Sequence, residues 1–498
     1  MTPETGNSIR NPSLIHALIP LALLIFLLSL NVYLFGDDAL FGPNQLALLL
    51  SAAAGGIIAI RLGHGWFTIR ERIVKSIGSA MPSMIILLLI GSLAGTWLLS
   101  GVVPAMIYYG LLILNPAVFL LVCVVITAMV SVATGSSWST VATIGIALIG
   151  IGHAMGFNEG MVAGAIISGA YFGDKMSPLS DTTNLASAMA GTDLFTHIKY
   201  MALTTGPSIA ITLLIFFITG FFFTPVTDEV NVHTTLSALE ETFFISPVLF
   251  TVPVILVIII VNKVPPLPSL LAGTLLGAVF AVIFQPQIIE HVSGITDNYA
   301  VASYIAVIRS MGGLIAITTP DPQVTDLLST GGMAGMLNTI WLILTAMIFG
   351  GVMEGAGMLA RITRGLMMFA RTTGSLVATT VSTCLFFNIT ASDQYISVVV
   401  PGRMFASTFK DKNLKPEVLS RTLEDSGTVT SVLIPWNTCG ATQSAILGVP
   451  TLTYLPYAFF NIISPFMSIF MAAFNIKIRR LEKEKKNGKA GMDIGIDS

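Results

Sequence analysis

Long apolar stretches alternate along the chain with short polar interruptions. About ten of the stretches are long enough to cross a bilayer as helices, for which roughly 20 apolar residues suffice. In the first half they lie near residues 14–35, 44–60, 82–100, 160–190 and 203–223, and in the second near 246–262, 267–284, 338–356, 423–448 and 453–474. The stretches at 160–190 and 423–448 are broken part-way by polar residues. Two more, near 116–150 and 374–400, carry a polar knot at their midpoints and read as re-entrant hairpins. The pattern predicts an all-α polytopic membrane protein: about ten transmembrane helices plus two re-entrant hairpins. The stretch Leu14–Phe35 is too long for the apolar region of a signal peptide and no small-residue cleavage pattern follows it, so it reads as the first membrane helix.

Composition agrees. Of 498 residues, 54% are hydrophobic and only 10% charged, against about 25% charged in soluble proteins, and the mean hydropathy is +0.84. A net charge of −2 excludes the basic surface that a nucleic-acid partner requires. Cys123, Cys384 and Cys439 are scattered, with no metal-ligand spacing. There is no H-E-x-x-H, no phosphate-binding loop, and no histidine placed to activate the membrane serines. These absences argue against an enzyme and against an ATP-driven pump, and no cofactor is expected.

Charge in the loops sets an orientation. Basic residues cluster at Arg61, Arg70, Arg72 and Lys75, at Arg361, Arg364 and Arg371, at Arg403, Lys410, Lys412, Lys415 and Arg421, and in the tail from Lys477 to Lys489. All fall on one side if both termini are cytoplasmic. The opposite loops carry Asp37, Asp38, Asp228, Glu229, Glu240, Glu241, Glu290, Asp297, Asp321 and Asp326, with Arg309 as the one basic residue. The histidines, His197 among them, are expected at the surface. The same count gives five spans to each half and opposite starting sides, hence two inverted-topology repeats. The expected organisation is a cytoplasmic N-terminus (1–12), a first inverted repeat (13–225), an extracytoplasmic linker (226–244), a second inverted repeat (245–475) and a cytoplasmic charged tail (476–498). Two weak matches support the repeat: Thr134-Gly135-Ser136 with Thr390-Ala391-Ser392, 256 positions apart, and Asp174, Ser177 and Ser180 with Asp425, Thr428 and Ser431, at an offset of 251.

The candidate chemistry lies where the apolar pattern fails. A charged residue at the bilayer centre costs roughly 2.5–3.5 kcal/mol. Asp174, Lys175 and Asp181 nonetheless sit within eight residues in a segment that must cross the membrane. Pro178 removes an amide donor there, so a break is expected at about Ser177–Thr183. A break within the membrane is tolerated only around a cavity or inside protein. Its free carbonyls, with Ser177, Ser180, Thr183, Asn184 and the acids, would make an oxygen cage suited to a small hard cation. Na⁺ is expected at Asp181, Ser180 and Asn184. The second half repeats the logic from Glu424 and Asp425 through Pro435 to Asn437 and Thr438. The hairpin tips add Thr134, Ser136 and Ser137, and Thr390, Ser392 and Asp393. The candidate proton- or ion-coupling groups are Asp181, Asp174, Asp393, Asp425 and Glu354, with Lys175 as an internal counterion. Against this stands the ordinary behaviour of membrane hydroxyls, which often bond back to their own helix. The Asp174–Lys175 pair also fits a structural ion pair.

The run from Gly169 to Ala186, with Gly173-Asp174-Lys175-Met176-Ser177-Pro178-Leu179-Ser180-Asp181-Thr182-Thr183-Asn184 at its centre, is similar to the signature of NhaC-type Na⁺/H⁺ antiporters. Ala133-Thr134-Gly135-Ser136-Ser137-Trp138-Ser139-Thr140 and Ile434-Pro435-Trp436-Asn437-Thr438-Cys439-Gly440-Ala441 resemble that family too. The resemblance covers residues 13–475. It implies the ion-transporter superfamily fold, with inverted repeats, two re-entrant hairpins and a scaffold domain that forms a homodimer. It further implies exchange of Na⁺ for H⁺ across the cytoplasmic (inner) membrane of a prokaryote. The family also contains exchangers that couple Na⁺ and H⁺ to small organic acids such as malate and lactate, so that reading stays open alongside cation exchange.

Overall fold

Apolar residues without interruption, capped by short polar side chains, make helices in this chain, and helices account for nearly all of its secondary structure. The structure, a computed structural model, describes residues 10–222, 229–319, 324, 325 and 328–481. The first nine residues, the tail beyond Leu481, and Asp228, Asp321 and Asp326 lie outside the described residues, as do the side chains of Asp37 and Glu229. Among the described residues, eight helices are long and apolar enough to cross a membrane, or ten if each of two bent pairs counts as one span. Strand is limited to Ile315–Ala316 paired antiparallel with Ser329–Thr330.

The first half runs α1 (Leu14–Phe35), α2 (Pro43–Arg61), α3 (Trp66–Leu99) and α4 (Val102–Ile113). The first hairpin follows, with arms α5 (Pro116–Thr134) and α6 (Ser137–Ala154). The broken segment is α7 (Glu159–Met176) and α8 (Asp181–Ala190), and α9 (Leu194–Phe222) closes the half. After α10 (Glu229–Thr242), the second half runs α11 (Thr251–Val261), α12 (Pro266–Phe284), α13 (Pro286–Ser293), α14 (Tyr299–Gly312), α15 (Leu337–Gly355) and α16 (Met358–Met367). Its hairpin arms are α17 (Thr373–Thr390) and α18 (Gln394–Asp411). Its broken segment is α19 (Pro416–Leu423), continued by a π turn over Glu424–Thr428, and α20 (Thr438–Leu447); α21 (Phe459–Ala473) ends the bundle.

Two expectations about boundaries need correction. The span placed at 82–100 is the end of a 34-residue helix that begins at Trp66, so Arg70, Arg72 and Lys75 sit on helix rather than in a loop. Residues 229–242, expected as linker, form α10, which meets α4 through a hydrogen bond from the Tyr108 hydroxyl to Glu240.

The two halves repeat at the level of backbone. The helix N-caps Asn115 and Thr372, Ser136 and Asp393, Asn158 and Lys415, and Ser180 and Asn437 are each 257 positions apart. So are the left-handed residues Gly135 and Ser392, Gly156 and Asn413, and Gly191 and Gly448. One offset therefore carries both hairpins and both broken segments. It corrects the offset of 251: in the backbone register Asp174 corresponds to Ser431, and Asp425 lies six residues before that position.

Glycine sets how closely the pieces approach. A Cβ on Gly169 would lie 2.2 Å from the Val124 carbonyl oxygen, and one on Gly173 would lie 2.4 Å from that of Ala128, so α7 crosses α5 backbone to backbone. Gly160 and Gly164 similarly abut Thr453 and Tyr457, and Gly351 abuts Ile73. These spacings serve close helix contacts. A Gly169→Ala substitution is expected to cost about 1–3 kcal/mol, because the Val124 backbone and the Thr127 hydroxyl both obstruct the new methyl group. Gly56→Ala, which meets open space, is expected to leave stability unchanged or raised. Thermal unfolding in detergent compares the two.

Candidate functional site

Each hairpin turns at a residue in the left-handed region, and the next residue caps the second arm. Gly135 (φ +70°) turns the first, and its Cβ position is closed by Leu179 at 2.6 Å. Glycine is thus required there twice over, and the tip rests directly on the first break. Ser136 then caps α6, accepting from the Ser139 amide at 3.2 Å. In the second hairpin Ser392 (φ +58°) turns and Asp393 caps α18, accepting from the Ile396 amide at 3.0 Å. The first break covers Ser177–Ser180, where Pro178 predicts it, and Ser180 caps α8.

Asp174 and Lys175 are consecutive, buried, and turned to different partners. Asp174 Oδ2 accepts two hydrogen bonds from the first hairpin tip, from the Ser137 amide at 3.1 Å and the Ser137 hydroxyl at 2.7 Å. Lys175 is fully buried and donates to Asp425 Oδ1, forming an ion pair, and to the Ser464 hydroxyl at 3.0 Å. The Thr204 hydroxyl (3.3 Å) and the Ser464 hydroxyl (3.2 Å) also donate to that Asp425 oxygen. The other oxygen of Asp425 faces Arg421 Nε at 3.9 Å.

A cavity of about 640 Å³ opens between α3, the α11–α12 loop, the first hairpin tip and the first break. Thr134, Ser136, Asp174, Ser180, Asp181 and Thr182 line it, with Gln394 and Tyr395 from the start of α18. Asp181 is exposed into it and accepts a hydrogen bond from the Tyr395 hydroxyl at 3.0 Å, which joins the first break to the second hairpin. Lys263, in the α11–α12 loop, is the basic residue on its wall.

The other candidates fall into three groups. Ser177, Thr183 and Asn184 are bonded to backbone around the break: Ser177 to the Val132 carbonyl at 2.8 Å, Thr183 to the Lys175 carbonyl at 3.0 Å, and Asn184 to the Pro178 and Ser180 carbonyls at 3.1 and 2.7 Å. Asn184 thus braces the turn, while Ser180 and Asp181 line the cavity. At the second tip, Asn437 donates to the Asn388 carbonyl at 3.1 Å, the Thr438 amide donates to the Ser392 carbonyl at 2.9 Å, and Thr390 bonds back to the Phe386 carbonyl at 2.7 Å. Asp393 is buried as a helix cap. These residues hold the second hairpin to the second break and do not line the cavity. Glu354 stands apart, half-exposed at the end of α15 and 3.8 Å from Arg72.

Sequence reasoning missed two buried residues, Arg421 and His197, and one exposed one, Tyr395. Arg421, expected in a cytoplasmic loop, is fully buried and stacks on the Tyr200 ring at 4.5 Å. The apolar stretch it precedes is shorter than the helical segment, which begins at Pro416. His197, expected at the surface, is fully buried, its Nδ1 2.7 Å from the Ser420 hydroxyl, because α9 begins nine residues before the apolar stretch does. Tyr395 carried no signal beyond its place after Asp393.

Charged groups buried at two helix breaks, two hairpin tips seated on those breaks, and an open cavity lined by acids and hydroxyls define a membrane transport protein. The chain belongs to the Na⁺/H⁺ antiporter family, which it matches over residues 169–476. It is 34% identical to an uncharacterized Na⁺/H⁺ antiporter of Haemophilus influenzae, over 96% of this chain and all of that one. It is 34% identical to the Na⁺/H⁺ antiporter NhaC of Alkalihalophilus pseudofirmus, over 88% and 90% of the two chains. With the malate-2H⁺/Na⁺-lactate antiporter of Bacillus subtilis it shares 35% identity, over 92% and 93%.

The Lys175–Asp425 pair generates a stability prediction. Lys175→Met leaves Asp425 short of its closest countercharge and is expected to cost about 3–5 kcal/mol, whereas Lys175→Met with Asp425→Leu recovers only part of that loss, because Arg421 then loses its carboxylate partner. Thermal unfolding of the single and double variants measures it.

Proposed function

We propose that this protein is a secondary antiporter that exchanges Na⁺ for H⁺ across the cytoplasmic membrane by alternating access. The observation that carries this reading is the shared cavity wall: Asp174 and Asp181 line one space with the hydroxyls of Thr134, Ser136, Ser180 and Thr182. Carboxylates and hydroxyls are hard oxygen donors, the set a small hard cation takes. A carboxylate that binds either Na⁺ or a proton couples the two by competition. Alternating access requires the hairpins and broken segments to move as a bundle against α1–α3, α12 and α15, in two oppositely oriented repeats.

Exchange of a small organic acid on the same scaffold is the second reading, favoured by the malate and lactate relative. Here it is the weaker one. Lys175, whose charge could assist a carboxylate, is fully buried and engaged by Asp425 and Ser464. The cavity presents two acids where an anion would sit, and its lysine stands on the loop side.

Proteoliposomes with an imposed Na⁺ gradient test the function. Wild-type protein is expected to move protons against Na⁺. Asp181→Asn and Asp174→Asn are each expected to abolish that movement, and Ser137→Ala to weaken it by raising the Na⁺ concentration required. Uptake of labelled malate or lactate without Na⁺-driven proton movement would replace this reading with the second.

Sidedness has its own test. The cavity is walled by Ser79, Pro82 and Ser83 of α3 and by Lys263–Leu267, segments that the loop charges place toward the cytoplasm. The three native cysteines are buried. Ser83→Cys is therefore expected to react with a membrane-impermeant thiol reagent added from the cytoplasmic side and not from the other.

A further inference from the structure

The second broken segment holds a group that the Na⁺ cavity does not use. Glu424 opens the π turn Glu424–Thr428 and is fully buried. Among the described residues, neither of its carboxyl oxygens has a hydrogen-bond partner, although the Thr428 hydroxyl lies nearby. One turn earlier, the three guanidinium nitrogens of Arg421 are buried and likewise without a hydrogen bond among the described residues, as is Asp425 Oδ2. Folded proteins leave few such atoms, and six of them lie within five residues of one segment. A dry, unpaired carboxylate is costly to bury. Water suits such a concentration of polar atoms, since a buried water serves two to four polar partners. None of Arg421, Glu424 and Asp425 lines the cation cavity.

The charges around Glu424 are laid out for a proton. Lys175 and Asp174 face it from α7, and Asp425 from its own turn. His197 of α9 is a neighbour of Lys175 and Asp425, and the Cys384 thiol of α17 faces Ser426. Lys175 is committed to Asp425. Among the described residues, Arg421 meets Asp425 at 3.9 Å and the Tyr200 ring.

We propose that Glu424 is a proton-carrying residue in a hydrated chamber shared with Arg421 and Asp425, distinct from the cation cavity at Asp174 and Asp181. One O–H bond forms or breaks at the Glu424 carboxyl, and the proton passes to or from chamber water. With the proton gone, the carboxylate faces Lys175, and Asp425 is shared by Lys175 and Arg421. With the proton bound, Lys175 and Arg421 both serve Asp425. Asp174 links the two sites: it lines the cavity and its charge also reaches Glu424, so a cation arriving at Asp174 changes the charge that Glu424 meets. This rests on the Na⁺/H⁺ reading above and assigns the proton to a residue other than those on the cavity wall.

The test compares two readouts in proteoliposomes, Na⁺-driven proton movement and exchange of labelled Na⁺ for Na⁺ with no pH gradient. Glu424→Gln is expected to lose proton movement and keep Na⁺ exchange near wild type. Glu424→Asp is expected to keep both, with the pH profile of proton movement displaced. Full proton movement in Glu424→Gln overturns the proposal. So does joint loss of both readouts in Glu424→Gln when that variant is folded and monodisperse. If Glu424→Gln does not fold, Glu424→Asp decides, and an undisplaced pH profile overturns the proposal. Wild-type protein without Na⁺-driven proton movement would instead refute the Na⁺/H⁺ reading itself.

Discussion

The buried ion pair between Lys175 and Asp425 is the constraint on which the interior of this protein depends. It joins the last turn of α7, just ahead of the first break, to the π turn ahead of the second, and both side chains are fully removed from solvent. Each charge alone would be prohibitive there; together, with the Thr204 and Ser464 hydroxyls from α9 and α21, they are matched and hydrogen-bonded. Four segments from both halves therefore converge on one point. The breaks, which a helix in lipid would not tolerate, are held in place by the pair beside them.

Because Lys175 is committed inward, its neighbour Asp174 is free to face outward. The two are adjacent in sequence, and a helix sends adjacent residues about 100° apart. Asp174 consequently reaches the tip of the first hairpin and the cavity, while Lys175 reaches the opposite repeat. The first break supplies the cavity wall and the second supplies the charged core behind it. Tyr395 bridges the two at the surface by its hydrogen bond to Asp181, a contact that any relative movement of the second hairpin and the first break must make or lose.

The breaks and tips were legible in the sequence because polar residues inside apolar stretches are expensive and can be read as such: Pro178, Gly135 and the pairs around them sit where the pattern placed them. What was not legible came from helices that extend beyond their apolar windows. Arg421 and His197 read as loop residues, yet α19 and α9 begin in polar sequence and bury it against one another, which hydropathy cannot show. Asp181 is exposed into the cavity, at the residue where α8 restarts. The repeat was dimly visible through side-chain identities and is plain only in backbone roles. Gly135 and Ser392 share a left-handed turn, and Ser180 and Asn437 share an N-cap, with different residues serving the same geometry.

That mismatch between backbone and chemistry bears on how exchange is organised. The backbone repeats at one offset, whereas the charges do not: Asp174 corresponds to Ser431, and Asp425 and Glu424 have Ser168 and Ile167 at their counterparts. Two identical half-sites would bind the same ion twice. Divergence at a constant backbone register instead gives one half an acid on the cavity wall and the other an acid in a closed polar core, with a lysine from the first half neutralising the second. The repeated backbone thus carries an asymmetric set of charges, which under the proposed exchange would give Na⁺ and H⁺ different places to bind.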